Sequence, residues 1–142
     1  METQPPQDAP SELHAVNAPI SAFKTLIACI AAYIVPGLGH VFLGKRARAL
    51  VFFASICFMF GLGLQLQGRL FEPGFGDFFS ALKFIAQSGS GLLYWIPWFS
   101  GAGPGDPTAY TYDYANVFIY VAGLLTMLVI VDVFDIAMGR KQ

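Results

Sequence analysis

The feature that most constrains this chain is a pair of long, nearly uncharged segments. Residues 49–67, ALVFFASICFMFGLGLQLQ, contain no charged residue, and residues 114–138 carry charge only as two acids near their end. An α-helix needs about 20 apolar residues to cross the ~30 Å hydrocarbon core of a bilayer. Both segments are therefore predicted to be membrane-spanning helices.

The composition supports a lipid environment. Hydrophobic residues make up 56% of the 142 positions and charged residues 12%, whereas soluble domains carry about 25% charged residues. A soluble all-α protein with an apolar core is the less favoured alternative. The net charge of −1 argues against nucleic acid as a partner, because phosphate binding needs a concentrated positive field. The two cysteines, Cys29 and Cys57, lack metal-ligand spacing, so we predict no metal and no cofactor.

The rest of the chain divides into a tail and a single membrane domain. Residues 1–17 are rich in Pro, Gln and acids and are predicted to be a disordered polar tail. Residues 18–142 are predicted to form one all-α integral membrane domain. Its third apolar stretch is interrupted by SGSG at residues 88–91 and by Pro97, so each half is too short to span. The predicted helices cover about 18–35, 48–67, 78–100 (broken) and 114–138.

Basic residues indicate the topology, because Lys and Arg are enriched in cytoplasmic loops. Five such residues lie at two places: in the loop after the first apolar segment and after the last apolar segment. Both places lie in the cytosol only if the number of crossings is odd. We therefore predict three spanning helices plus a re-entrant or interfacial hairpin at 78–100, with the N-terminus outside and the C-terminus inside a bacterial cytoplasmic membrane. Four spanning helices are the alternative. The basic topology anchors are Lys45, Arg46, Arg48, Arg140 and Lys141.

The stretch PGLGHVFLGKRARAL, residues 36–50, is predicted to be a tight interfacial turn between the first two helices. Proline cannot donate the helical hydrogen bond and ends the preceding helix. Glycine allows backbone angles that other residues avoid. The residues assigned to this turn are Pro36, Gly37, Gly39, His40, Leu43 and Gly44.

These residues, together with GDPTAYTYDY at 105–114, resemble a family of uncharacterised small bacterial membrane proteins that combine a PGLGH...LG turn with a GDPTAxTY segment. The first motif is also distantly similar to the two-transmembrane-helix domain family. The resemblance covers roughly residues 25–141 and implies a multi-pass membrane protein with no assigned activity. In the outer loop it singles out Gly105, Asp106, Pro107, Thr108 and Tyr112.

Ionisable residues inside apolar segments are the candidates for a functional site. Asp132 and Asp135 share one helix face because they are three residues apart. With His40 and the basic cluster they predict an ion-pair clasp between the turn and the last helix, or simply acids that reach interfacial water. The functional alternative is a proton or cation path. Lys83 is predicted to pair with Asp77 or to reach the outer surface.

The sequence contains no motif of a known catalytic type, so no catalytic residue is predicted. We expect a small non-catalytic membrane scaffold or accessory subunit, whose partners are the lipid bilayer and other membrane proteins or a second copy. The alternative is an oligomeric ion or proton channel, or a small-solute transporter, that uses His40, Asp132 and Asp135; a membrane-embedded enzyme is the third possibility.

Overall fold

Six helices and no strand make up the part of the chain that the structure, a computed structural model, describes: residues 21–74 and 76–140. The predicted tail 1–17, the first three residues of the predicted helix 18–35, and Lys141 lie outside the described residues. The helices are α1 (Ala22–Ile34), α2 (Leu38–Phe42), α3 (Arg46–Gln65), α4 (Phe78–Ser88), α5 (Leu92–Phe99) and α6 (Tyr112–Ala137).

Helices α3 and α6 form the antiparallel pair on which the rest of the fold packs. Near the end of α3, Gly63 lies so close to α6 that a Cβ atom there would collide with Ile119. At the opposite end, Arg48 of α3 lines the same groove as Asp135 of α6. Both helices are long and apolar enough to cross a membrane. They correspond to two of the three predicted spanning segments.

The first hairpin consists of α1 and α2, joined by a reversal at Pro36 and Gly37. Gly37 has φ 92°, in the left-handed region that favours glycine. Helix α2 then folds back against α1, and a Cβ atom on Gly39 would lie 2.6 Å from the Ala28 carbonyl oxygen and 2.9 Å from a Val133 methyl group. The described part of α1 has 13 residues, which is about 20 Å of helix. The turn therefore closes a short hairpin and does not simply link two spanning helices.

The second hairpin consists of α4 and α5, which are separated at residues 89–91. The reversal uses Gly91 at φ 61°. A Cβ atom on Gly123, near the middle of α6, would collide with the Ala86 carbonyl oxygen, so the end of α4 lies directly against α6. The SGSG break that interrupts the third apolar stretch is thus the turn of a helical hairpin, and that turn packs against the centre of the last helix.

The turns of the two hairpins meet. The Tyr33 hydroxyl donates to the Ser88 carbonyl oxygen across 3.2 Å, and Gly91 lies against the Tyr33 carbonyl oxygen. The first hairpin therefore ends where the second one turns, beside the centre of α6.

This packing order shows where the start of α1 lies relative to the end of α6. Ala28 and Ala32 pack on Val133, while the end of α1 reaches the second hairpin beside Gly123. Helix α1 therefore runs antiparallel to α6, and it begins at the end of the molecule where α6 finishes. Three crossings would put these two points at opposite ends. The short length of α1 and the reversal at Pro36 account for this placement.

Candidate functional site: the His40–Asp132 pair and the α3–α6 groove

His40 lies on α2 and is completely buried. Its Nε2 atom is 2.9 Å from Oδ2 of Asp132 on α6, and its ring lies 5.3 Å from the Phe52 ring of α3, centroid to centroid. The imidazole is therefore in contact with both long helices. Nε2–H can donate to the carboxylate in either the neutral or the protonated ring, so the bond ties the first hairpin to α6 in both states.

Asp132 also opens toward a surface groove between α3 and α6, since its side chain keeps 20% exposure. The groove has a volume of about 710 Å³. Its lining is mostly apolar and includes charged residues of both signs. Arg48 and Asp132 both have further interactions, so neither is an isolated charge. The residues that line this α3–α6 groove are Arg48, Phe52, Leu125, Leu128, Val129, Val131, Asp132 and Asp135.

One contact joins the turn to the last helix at residues from which the sequence predicts a clasp. His40 and Asp132, 92 positions apart, form the hydrogen bond. Asp135 instead faces Arg140, with 4.0 Å between Oδ1 and Nη1, and the Arg140 side chain is 68% exposed. Exposed pairs at this distance contribute little to stability. Within the described residues, no three His, Cys, Asp or Glu side chains come together as a metal site would require.

Some of the remaining residues of the predicted turn pack in the interior, and others allow the chain to reverse its direction. Pro36, Gly37 and Gly39 are buried, Leu43 is half-buried, and Gly44 is exposed at φ 76°. The basic residues follow directly: Lys45 precedes α3, and Arg46 and Arg48 lie in its first turn. The turn therefore places its cations at the same end of the molecule as Arg140.

Lys83 does not lie where an ion pair with Asp77 would put it. Its Nζ atom is 4.9 Å from the centroid of the Phe71 ring, within the range of a cation–π contact. The exposed side chain of Lys83, in the middle of α4, thus places its ammonium group over the face of the Phe71 ring.

The outer-loop motif forms an Asx turn. Oδ1 of Asp106 accepts hydrogen bonds from the Thr108 backbone N–H at 2.9 Å and from its hydroxyl at 2.6 Å. These bonds lower the pKa of Asp106 below its usual value, because they stabilise the charged carboxylate. Gly105 at φ 65° packs against Arg69, Pro107 is exposed, and Tyr112 begins α6. The motif shapes a turn that covers the start of the last helix.

A second polar cluster, which the sequence analysis did not identify, holds residues 66–71, hereafter the connector. Gln87 is completely buried; its Oε1 accepts from the Phe71 N–H and its Nε2 donates to the Arg69 carbonyl, both at 2.8 Å. The Tyr94 hydroxyl donates to the Phe71 carbonyl at 2.5 Å, and Oδ1 of Asn116 accepts from the Arg69 N–H at 2.9 Å. These side chains satisfy backbone groups that no helix satisfies.

The feature of the sequence that indicates this cluster is a side-chain amide inside an apolar segment. Gln87 and Asn116 both interrupt apolar segments, and a buried amide without a hydrogen-bond partner is costly. The sequence thus indicates that such residues have partners but does not identify the partner.

Comparisons with known proteins give a family and no function. No curated protein and no solved structure matches the chain. A family model, described as a family of unknown function, DUF6677, matches residues 27–142. This region includes the turn, the groove and the connector, and the match is consistent with the resemblance to an uncharacterised family. The chain belongs to the family of unknown function DUF6677.

Proposed function

We propose that this protein is an integral membrane protein in which α3 and α6 cross the bilayer and the two hairpins enter it from opposite sides. Only 22% of the apolar window of α3 and 33% of that of α6 is buried within the chain, so both helices present apolar surface outward. The connector supports the same setting, because irregular backbone at membrane depth must be satisfied by protein. Gln87, Tyr94 and Asn116 supply those bonds.

The charges favour one orientation for this arrangement. Lys45, Arg46, Arg48 and Arg140 lie at one end of the helix pair, and loops rich in such residues remain cytoplasmic. Both ends of the described chain would then face the cytosol. Cysteines introduced as Ser21→Cys and Gly139→Cys, in a background without the native cysteines, should react with an impermeant maleimide from the same side. Reaction from opposite sides would rule out two crossings.

Within this membrane we propose a non-catalytic scaffold that assembles through the α3–α6 groove. The observation that carries the proposal is the groove itself, with a mostly apolar lining that includes charged residues of both signs. On the face of α6 that lines the groove, exposed apolar residues follow one another at alternating intervals of four and three positions. This is the spacing of the seam between two packed helices. They are Val117, Val121, Leu124, Leu128 and Val131.

The charges of both signs favour a second copy as the occupant. Membrane insertion gives both copies the same orientation, so a two-fold axis has to run along the membrane normal and residues at equal depth meet. Arg48 and Asp135 lie at the same depth because they line one end of the groove. Arg48 of one copy can therefore face the second copy's Asp135, and the reciprocal contact forms at the same time.

Complementation between two charge-reversed chains tests this contact. Arg48→Glu alone and Asp135→Lys alone should each place like charges across the axis and raise the dimer dissociation constant about tenfold, from two unfavourable contacts of about 0.5–1 kcal/mol. Mixing the two variants restores both opposite-charge contacts only between different chains. A mixed dimer that forms no better than either variant's own dimer would contradict the proposal.

A proton or cation conductor is the second candidate. Nδ1 of His40 is buried without a hydrogen-bond partner among the described residues, while Nε2 reaches the partly exposed Asp132. Such a pair links a buried ring to the groove, as a relay requires. In liposomes loaded with a pH-sensitive dye, Asp132→Asn should leave flux unchanged if the protein is a scaffold. Abolished flux in a variant that still forms the dimer would favour the conductor.

A further inference from the structure

A second groove lies on a different face of α3, where the first hairpin reverses beside the first two turns of that helix. It has a volume of about 350 Å³, and Arg46 is the one charged residue among the described residues that line it. The other lining residues are apolar, among them Pro36, Val41, Ala49, Leu50 and Phe53. We call it the turn groove.

The backbone builds this groove, so its shape does not depend on flexible side chains alone. Pro36 and Gly37 are buried, and a Cβ atom on Gly37 would lie 2.6 Å from the Ala49 carbonyl oxygen. The reversal is thus held against α3, and the groove opens between the two elements. Val41, Leu50 and Phe53, which line it, remain 46%, 69% and 41% exposed.

The charged residues at the start of α3 are all basic. Lys45 and Arg46 are adjacent, Arg48 follows, and the chain contains no Asp or Glu between residues 13 and 71. Asp132 and Asp135 of α6 line the α3–α6 groove, whereas the turn groove is lined by no acidic residue of the described ranges 21–74 and 76–140. An apolar groove with the exposed Arg46 among its lining residues matches an acyl chain joined to a phosphate.

We propose that the turn groove is a binding site for an anionic phospholipid of the cytoplasmic leaflet, with an acyl chain along Leu50 and Phe53 and the headgroup phosphate on Arg46. Guanidinium groups bind phosphate oxygens through paired N–H donors, and basic pockets at the cytoplasmic ends of membrane helices recognise anionic headgroups. This inference rests on the proposed membrane location, but it does not depend on dimer formation through the α3–α6 groove.

The test is a lipid titration of the detergent-solubilised full chain followed by native mass spectrometry. Phosphatidylglycerol should bind about fivefold more tightly than phosphatidylcholine with the same acyl chains, which is the contribution of one basic side chain near an anionic group. Arg46→Gln should remove this preference. Arg140→Gln, at the same end of the molecule and also exposed, is the matched control and should retain it.

A second variant tests the apolar part of the site. Leu50→Trp places a larger ring in the groove from an exposed position and should weaken the binding of both lipids. Equal affinities for the two lipids, equal effects of the two arginine variants, or unchanged binding in Leu50→Trp would each overturn the proposal. A change of oligomeric state in Leu50→Trp would identify the groove as a protein interface instead. If Arg48→Glu and Asp135→Lys no longer form dimers but keep the lipid preference, only the scaffold proposal is contradicted.

Discussion

Replacement of Gln87 by leucine tests whether the buried amide holds the connector in place. The side chain has no solvent exposure; its amide oxygen accepts from the Phe71 N–H and its amide nitrogen donates to the Arg69 carbonyl oxygen, at 2.8 Å each. Leucine is similar in size but can neither donate nor accept. The substitution therefore leaves two backbone groups without these partners and creates little empty volume.

The cost follows from the number of groups left unsatisfied. A buried polar group that loses its hydrogen-bond partner costs about 1–3 kcal/mol, so two such groups lower the free energy of unfolding by about 2–6 kcal/mol. Tyr94→Phe removes the 2.5 Å bond to the Phe71 carbonyl oxygen and should cost about 1–3 kcal/mol. Because both side chains hold the same segment, their effects should not add in the double variant.

Equilibrium unfolding in mixed detergent micelles, followed by circular dichroism, measures these differences. Gln65→Leu is the matched control, since Gln65 is exposed at the end of α3, and it should change the free energy of unfolding by less than about 0.5 kcal/mol. If Gln87→Leu is as mild as the control, the connector does not depend on the amide and the argument for buried irregular backbone is refuted.

The same unfolding assay checks two further contacts. Asp132→Leu should lower the free energy of unfolding by about 1–3 kcal/mol because His40 Nε2 loses its acceptor. Asp132→Asn keeps an oxygen acceptor and should lower it less. Equal decreases in the two variants would show that this hydrogen bond is unimportant. Gly123→Ala should cost about 1–3 kcal/mol because its Cβ meets backbone, while Gly61→Ala, with no atom within 4 Å, should be neutral or gain about 0.5–1 kcal/mol. Similar values for the two glycines would mean that α4 does not lie against α6.

Local chemistry made part of this fold predictable. The two long helices follow from runs of apolar residues, which the sequence displays directly, and the structure gives α3 and α6 within two residues of the predicted bounds. Pro36 and Gly37 end α1 because one lacks an N–H donor and the other allows a positive φ. These features depend on the residue itself and its immediate neighbours.

The course of the first hairpin was not predictable in the same way. A helix that crosses and a helix that turns back have the same apolar composition, and few basic residues were present to separate them. The reversal of α2 onto α1 depends on the fit of Gly39 against Ala28 and Val133, a contact made with an element more than 90 positions away. A local pattern contains no information about such a fit.

In the candidate site, too, the sequence determined some features and the tertiary structure decided the others. The sequence by itself determined that His40, Asp132, Gln87 and Asn116 are polar residues within apolar surroundings, and therefore that each needs a hydrogen-bond partner. Only the tertiary structure decided that His40 meets Asp132 and that the two amides bond the connector. Periodicity identifies the polar residue on a helix, but the choice of partner is made where separate helices pack, through distances that no single segment contains.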